Sequence, residues 1–352
     1  MNAPWYFEND NKILPGQGFL ASLLDTCLNH GLREGELLSH TRIFYRDLAL
    51  PGAKFSTQQV LQLVKNVQAS RVNTRGIEFE FGAQSLNHLP IPLAQLIANS
   101  SSLAEALTHL IAFQTHICPL IKIEEYNDGD AHYLVCVDRC GIGSQKGPTQ
   151  QFLQNSALAS IARLLVPFTQ HDDDWEVFLL GEEPADVSHH YKFLGTQLHF
   201  DSPFHVLKIP QAAMKHAPVS RSRLAYEHHL SECMHRHSQL GMPPSFIDVA
   251  MRFVQREVEH NTHSLRCCAD YFAMSESTLK RKFKKHHSSY QQVSDQGRTL
   301  LALKYLHIDG LSNERVAEKL RFTDGNNFRR SFKRWTGTLP SQYRKVDGLY
   351  SY

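Results

Sequence analysis

Ala269-Asp-Tyr-Phe-Ala-Met-Ser275-Glu-Ser-Thr-Leu-Lys-Arg-Lys-Phe283-Lys-Lys285 is echoed later in the chain by Ala317-Glu-Lys-Leu-Arg-Phe-Thr323-Asp-Gly-Asn-Asn-Phe328-Arg-Arg-Ser-Phe-Lys-Arg334. Ala269, Phe272 and Ser275 return as Ala317, Leu320 and Thr323, an offset of 48. Past the turn, Leu279, Arg281, Phe283, Lys284 and Lys285 return as Phe328, Arg330, Phe332, Lys333 and Arg334, an offset of 49. Each copy reads as a short helix, a tight turn capped by Ser or Thr, and a longer basic helix. That is the helix-turn-helix arrangement, whose second helix enters the DNA major groove. A single basic run is usually a solvated helix face. Two runs with matched apolar anchors favour a phosphate-seeking surface instead.

The charge distribution agrees. The 352 residues carry 37 Lys+Arg and 35 Asp+Glu, so the whole chain is nearly balanced. From Leu240 onward there are 19 basic and 11 acidic residues, whereas residues 1–239 hold 18 and 24. A basic C-terminal block behind a mildly acidic N-terminal one points to an anionic partner for the tail end. Hydrophobic content of 42% is enough for real cores. No run approaches the ~20 apolar residues of a membrane span, and the first 25 residues do not read as a signal peptide. Seven scattered cysteines suit a reducing cytoplasm.

Residues 1–210 are expected to form an α+β domain. Phe19, Leu20, Leu23, Leu24, Cys27 and Leu28 share one helical face, and Thr57–Val67 reads as a helix capped by Ser56. Gly76–Gly82 alternates apolar and charged residues, the pattern of a half-buried strand. Ser102 and Glu105 form a capping-box pattern ahead of a helix to Phe113. Leu120–Tyr126 and Ala131–Val137 flank the hairpin signal Asn127-Asp128-Gly129-Asp130. Thr149–Val166 is a further helix, and Trp175–Leu180 and Phe204–Ile209 read as strands. Residues 211–244 are expected to be a partly helical linker, with a weak apolar stripe (Tyr226, Leu230, Cys233, Met234) on Arg221–His237. Residues 245–346 form an all-α domain with two helix-turn-helix motifs.

The C-terminal block resembles the DNA-binding domain of AraC/XylS-type regulators. The match is carried by Leu265–Phe283, Arg298-x3-Ala302-x2-Tyr305-Leu306, Val316-Ala317 through Phe322, Phe328-Arg-Arg-Ser-Phe-Lys-Arg-Trp-Thr-Gly337 and Pro340-Ser-Gln-Tyr343-Arg344. The resemblance implies seven helices in two helix-turn-helix subdomains joined by a long helix near Tyr290–His307. It also implies base reading by Ser277, Lys280 and Arg281 on the first helix and by Asn326, Asn327, Arg329 and Arg330 on the second. Lys284, Lys285, Lys333 and Arg334 are expected to neutralise phosphates. Ala273 and Arg321 stand where such proteins usually have Gly, so both turns are expected to demand a positive φ. Arg75–Phe81, Pro90–Phe113 and Phe193-Leu-Gly-x3-His-Phe200 resemble the amino-terminal domain of regulators related to the ornithine-utilisation regulator, often labelled arabinose-binding-like. The implied partners are double-stranded promoter DNA, RNA polymerase, a small-molecule effector and a second copy of the chain. No cofactor, metal or membrane is expected.

Other signals weigh less. The pairs His189-His190, His228-His229 and His286-His287 lack metal-ligand spacing, and His286-His287 reads as the end of a basic helix beside phosphates. Cys136-x3-Cys140 reads as two small buried thiols rather than a redox pair. A DNA-repair protein with a methyl-accepting cysteine is the main alternative. Its nearest candidate, Cys118 before Pro119, lacks the basic neighbours that would lower a thiol pKa. An effector-independent DNA-binding protein is the third reading.

Overall fold

The computed structural model of the chain describes residues 5–48, 50, 52–88, 92–142, 147–169, 175–260 and 262–343. Pro90 and Arg344, both quoted above, lie outside them. The chain divides into two compact units, residues 1–125 with 129–243 and residues 126–128 with 244–352.

The first unit holds the strands, save the last two residues of the third. Strands β1 (Lys12–Pro15) and β2 (Lys54–Ser56) make a small antiparallel pair. The main sheet contains β3 (Ile121–Asn127), β4 (Ala131–Asp138), β5 (Glu176–Leu180), β6 (Leu198–Ser202) and β7 (His205–Pro210) in the order β3-β4-β7-β5-β6. Strand β7 is antiparallel to both β4 and β5, while β5 and β6 run parallel across the connecting helix Ser188–Leu194. β4 is buried from Tyr133 to Asp138 because the sheet is covered there. The cover is Pro148–Leu165, a helix buried along nearly all its length, Gln150, Gln154, Asn155, Ser156 and Ser160 included.

The expected strand at Gly76–Gly82 is instead the start of a helix, Ile77–His88. A helix lying between two packed layers buries opposite sides of its cylinder, and that mimics the strand alternation. Ile77, Phe79 and Phe81 are all buried, whereas Glu80 pairs with His30 and Glu78 bonds Asn155. Gly82 is what lets this helix reach the buried one. A Cβ there would stand 2.2 Å from the Ser156 carbonyl oxygen, and Ser160 Oγ donates 2.7 Å to the Gly82 oxygen.

Caps read from the sequence are present. Ser56 and Gln59 make a reciprocal capping box at Thr57–Gln68. Ser102 accepts from the Glu105 amide, but the Glu105 carboxylate reaches back to the Ser101 amide. Beyond β7, the segment expected as a connector is helical over Arg223–Leu240. Cys233 is buried in the core of the first unit, with Tyr226 and Leu230 against it. Tyr226 Oη donates to Glu105 at 2.8 Å and lies 3.0 Å from His109 Nε2, and the His237 and His116 rings meet at 3.3 Å.

The second unit is helical. Its helices are Phe246–Glu257, Leu265–Tyr271, Glu276–Lys285, Tyr290–Leu303 with a wider turn to Ile308, Asn313–Lys319 and Gly325–Thr336, followed by a 3-10 turn at Pro340–Tyr343.

Candidate nucleic-acid interface

The two repeats close their turns in the same way. In the first, Ala273 and Met274 amides donate to the Asp270 and Ala269 carbonyls; in the second, Arg321 and Phe322 donate to Glu318 and Ala317. This αL closure needs a left-handed residue at its apex. Ala273 has φ +52° and Arg321 φ +56°, as their place in the turn demands. Arg321 is also held by its Nε, which donates 2.6 Å to the Glu259 carbonyl. Each basic helix then starts on a side-chain cap: Ser275 accepts from the Thr278 amide, and Asp324 from the Asn327 amide at 2.8 Å.

Apolar anchors fix the rotation of both helices. Leu279 and Phe283 are buried in the first, Phe328 and Phe332 in the second, and each buried Phe contributes about 2–3 kcal/mol. Phe246 centres the first core, with ring centroids 4.9 Å from Phe283 and 5.1 Å from Phe272. His286 belongs to that core too: it is fully buried, 5.1 Å from the Phe246 ring. It therefore does not stand beside phosphates, whereas exposed His287 closes the helix at φ +51°. The spacing Leu279, Phe283, His286 already places all three on one helical face.

With the anchors inside, Ser277, Lys280, Arg281 and Lys284 are exposed on the first helix, and Asn326, Arg329, Arg330 and Lys333 on the second. Both sets follow i, i+3, i+4, i+7, one continuous stripe, and they correspond pairwise through the offset of 49. Among the described residues, no carboxylate forms an ion pair with the six cations in these stripes. The remaining expected residues sit differently. Asn327 is half-buried and its amide donates 3.0 Å to the capping Asp324. Arg334 lies 3.8 Å from Asp295 of the helix Tyr290–Leu303. Lys285 is half-buried. Ser277 Oγ is 2.9 Å from the capping Ser275 hydroxyl.

The helix Tyr290–Leu303 joins the two subdomains. Gly297 rides on Phe246–Glu257, where an added Cβ would meet Val254 Cγ1 at 3.3 Å. Tyr290 Oη donates to the His263 carbonyl. The next residue, Arg298, donates 3.0 Å to the Leu320 carbonyl and lies 4.3 Å from the Phe322 ring and 5.5 Å from Trp335. Arg298 thus ties the bridging helix to the turn of the second repeat, a role that its place in the sequence motif does not disclose.

Cys118, Cys136 and Cys140 are poor nucleophiles. Cys118 is buried, and desolvation pushes its pKa up to about 12. Cys136 and Cys140 are buried and pushed higher still. In the first unit a small cavity of about 20 Å³ is lined by Leu14, Phe19, Thr115, His116, Leu240 and Met242 among others, room for little more than a water.

Two helix-turn-helix repeats with matching exposed cationic stripes define a DNA-binding regulator. Comparison with known proteins gives the family. Residues 31–217 match the arabinose-binding domain of AraC transcription regulators, and residues 268–346 match a helix-turn-helix domain. The chain belongs to the AraC family of transcription regulators. It is similar to the ornithine utilization regulator of Pseudomonas aeruginosa, 24% identical over 93% of this chain and 95% of that protein. The transcriptional regulator VqsM of the same organism is 30% identical over 23% of this chain and 25% of its own. The porin thermoregulatory protein EnvY of Escherichia coli is 29% identical over 27% of this chain and 38% of its own. A crystal structure of the P. aeruginosa regulator CdpR aligns over 92% of this chain and 98% of its own at 18% identity, with a TM-score of 0.39. Among the described residues, no helix is long and apolar enough to cross a membrane.

Proposed function

We propose that the two exposed stripes read promoter DNA together, one base-reading helix per repeat. The observation that carries this reading is the pairwise match of Ser277, Lys280, Arg281 and Lys284 with Asn326, Arg329, Arg330 and Lys333, all facing out. Arg281, Lys280, Arg329 and Arg330 suit the O6 and N7 acceptors of guanine, and Asn326 suits adenine. Lys284 and Lys333, nearer the helix ends, neutralise phosphates, with Lys285 and Arg334 flanking them. Asn327 acts by holding the cap. Helices fixed by one bridging helix occupy successive major grooves about 10 bp apart.

The first unit senses a small molecule and pairs with a second copy, acting in the cytoplasm on RNA polymerase recruitment. The helix Arg223–Leu240, which leads into Pro244, relays the state of that unit. An effector moves such an equilibrium only by its differential affinity for two states, on the scale of ~1–3 kcal/mol. Catalysis has no place in this reading: the buried Cys118 thiol lacks both access and activation.

Salt dependence tests the interface. Each phosphate contact removed lowers the slope of log affinity against log salt by about 1. Lys284→Ala and Lys333→Ala are each expected to lower it so in the full chain. Arg334→Ala is expected to lower it less, because Asp295 already shares its charge. Unchanged slopes in both lysine variants contradict the interface.

A further inference from the structure

One strip on the surface of the first unit carries both signs of charge and two exposed rings. Its middle, Leu37–Arg42, runs along the helix Thr57–Gln68 and is tied down at two points. Asn66 Nδ2 donates to the Leu37 and Ser39 carbonyls at 2.8 and 2.7 Å, and Gln59 Nε2 to the Thr41 and Arg42 carbonyls at 3.1 and 3.2 Å. Gln59 and Asn66 are seven residues apart, so the tethers share one helix face and stand about 10 Å apart along its axis. The strip therefore runs from the C-terminal end of that helix toward its N-terminal end. Gln59 is itself fixed, because its Oε1 accepts from the Ser56 amide in the capping box. His40 and Arg42 hold φ values of +60° and +56° on either side of buried Thr41. Such values are uncommon for residues with a Cβ, and the tethers hold the backbone to that one shape.

The frame gives the strip two unlike ends. Glu34 and Glu36 are exposed just ahead of Leu37, at the Asn66 end. Arg42, Phe44, Tyr45 and Arg46 are exposed at the Gln59 end and beyond it. Phe44 is 62% and Tyr45 45% exposed, and the Arg46 guanidinium lies 5.9 Å from the Phe44 ring. Among the described residues, Glu34, Glu36 and Arg42 form no ion pair, and Arg46 approaches only Asp47, at 3.9 Å. With Arg33 and Asp47 counted, the two ends carry net charges of −1 and +1. Aromatic rings beside arginines are the composition of interface anchors, and a rigid frame loses little entropy on docking. The order of charge selects the occupant. Turned end for end by a two-fold axis, the strip meets its own complement, acidic end on basic end, twice over. A parallel alignment would set like charges together.

We infer that this strip is the surface through which two copies of the chain pair, antiparallel about a two-fold axis. Glu34 and Glu36 of one copy lie against Arg42 and Arg46 of the other, and the pairing covers the Phe44 and Tyr45 rings. This deepens the reading that the first unit pairs with a second copy, and rests on it.

The test is sedimentation equilibrium of the full chain without DNA. The wild-type chain is expected to dimerise, and Phe44→Ala/Tyr45→Ala to weaken the dimer tenfold or more. Glu34→Arg/Glu36→Arg and Arg42→Glu/Arg46→Glu are each expected to leave monomers, because like charge then meets like charge at both contacts. Mixed in equal amounts, these two charge variants are expected to pair again, each supplying the sign that the other lost. Recovery in the mixture also shows that both variants are folded. A wild-type dimer indifferent to all three pairs of substitutions overturns the strip and spares the pairing reading. Two monomeric charge variants that fail to pair when mixed do the same. A wild-type chain that stays monomeric overturns both, and leaves the strip to a partner of another kind.

Discussion

At the scale of single residues, Ala273 and Arg321 are the informative pair. Both hold a left-handed conformation that costs an L-residue about 1–2 kcal/mol relative to glycine. Ala273 is exposed and its side chain has no compensating bond, whereas Arg321 recovers part of its cost through Glu259. Ala273→Gly is therefore expected to stabilise the second unit by about 0.5–1 kcal/mol, after the extra entropy glycine adds to the unfolded chain. Arg321→Gly is expected to gain less or to lose. Denaturant unfolding of both variants decides it, and a destabilised Ala273→Gly would mean the turn is not strained. These turns were legible because the resemblance to AraC/XylS-type regulators implies glycine at both positions. The restraints on Asn327 and Arg334 were not, since a cap bond and a partner on another helix leave no trace in spacing. His286 was legible in principle, being in phase with Leu279 and Phe283.

Among the elements, the helix Ile77–His88 teaches most. Period-2 alternation over five residues reads as strand, yet burial on opposite sides of a helix yields the same alternation once Glu78 and Glu80 find partners inside. Sequence patterns assume one buried face, whereas Ile77, Phe79 and Phe81 are buried on different sides of this helix. Its contact with the buried helix hangs on Gly82. Gly82→Ala puts a methyl 2.2 Å from a backbone carbonyl, which cannot swing away as a side chain would. A loss of at least about 1–3 kcal/mol is expected, read as a lower melting temperature of the first unit. Retention of wild-type stability would show that the two helices do not cross there. The strands β3, β4, β5 and β7 were legible because hairpin and β-branched signals are local. β6 was not: its half-buried residues, Leu198 to Phe200, carry no continuous apolar run.

For the whole molecule, acidity and DNA bear on different units. His116 and His205 are buried neutral, their pKa values pushed down by desolvation to about 4 and about 3, beside His237 and His190 respectively. The unfolded chain takes up protons at these groups below about pH 6.5 and the folded chain does not, so their contribution is full above pH 6.5 and lost as pH falls. Each costs on the order of 2 kcal/mol by pH 5. Stability lost between pH 7 and pH 5 is therefore expected to be about 2 kcal/mol smaller in His205→Asn, and an equal loss in variant and wild type contradicts a neutral buried His205. The second unit rests on a different arrangement, two basic helices held to one frame by the bridging helix and Arg298. The most direct measurement is selection of random duplex DNA by the full chain, repeated with the pairs Lys280→Ala/Arg281→Ala and Arg329→Ala/Arg330→Ala. The expected motif has two conserved patches about 10 bp apart, each variant pair erasing one patch and sparing the other. A single short patch, indifferent to changes in the second helix, would contradict reading by two helices.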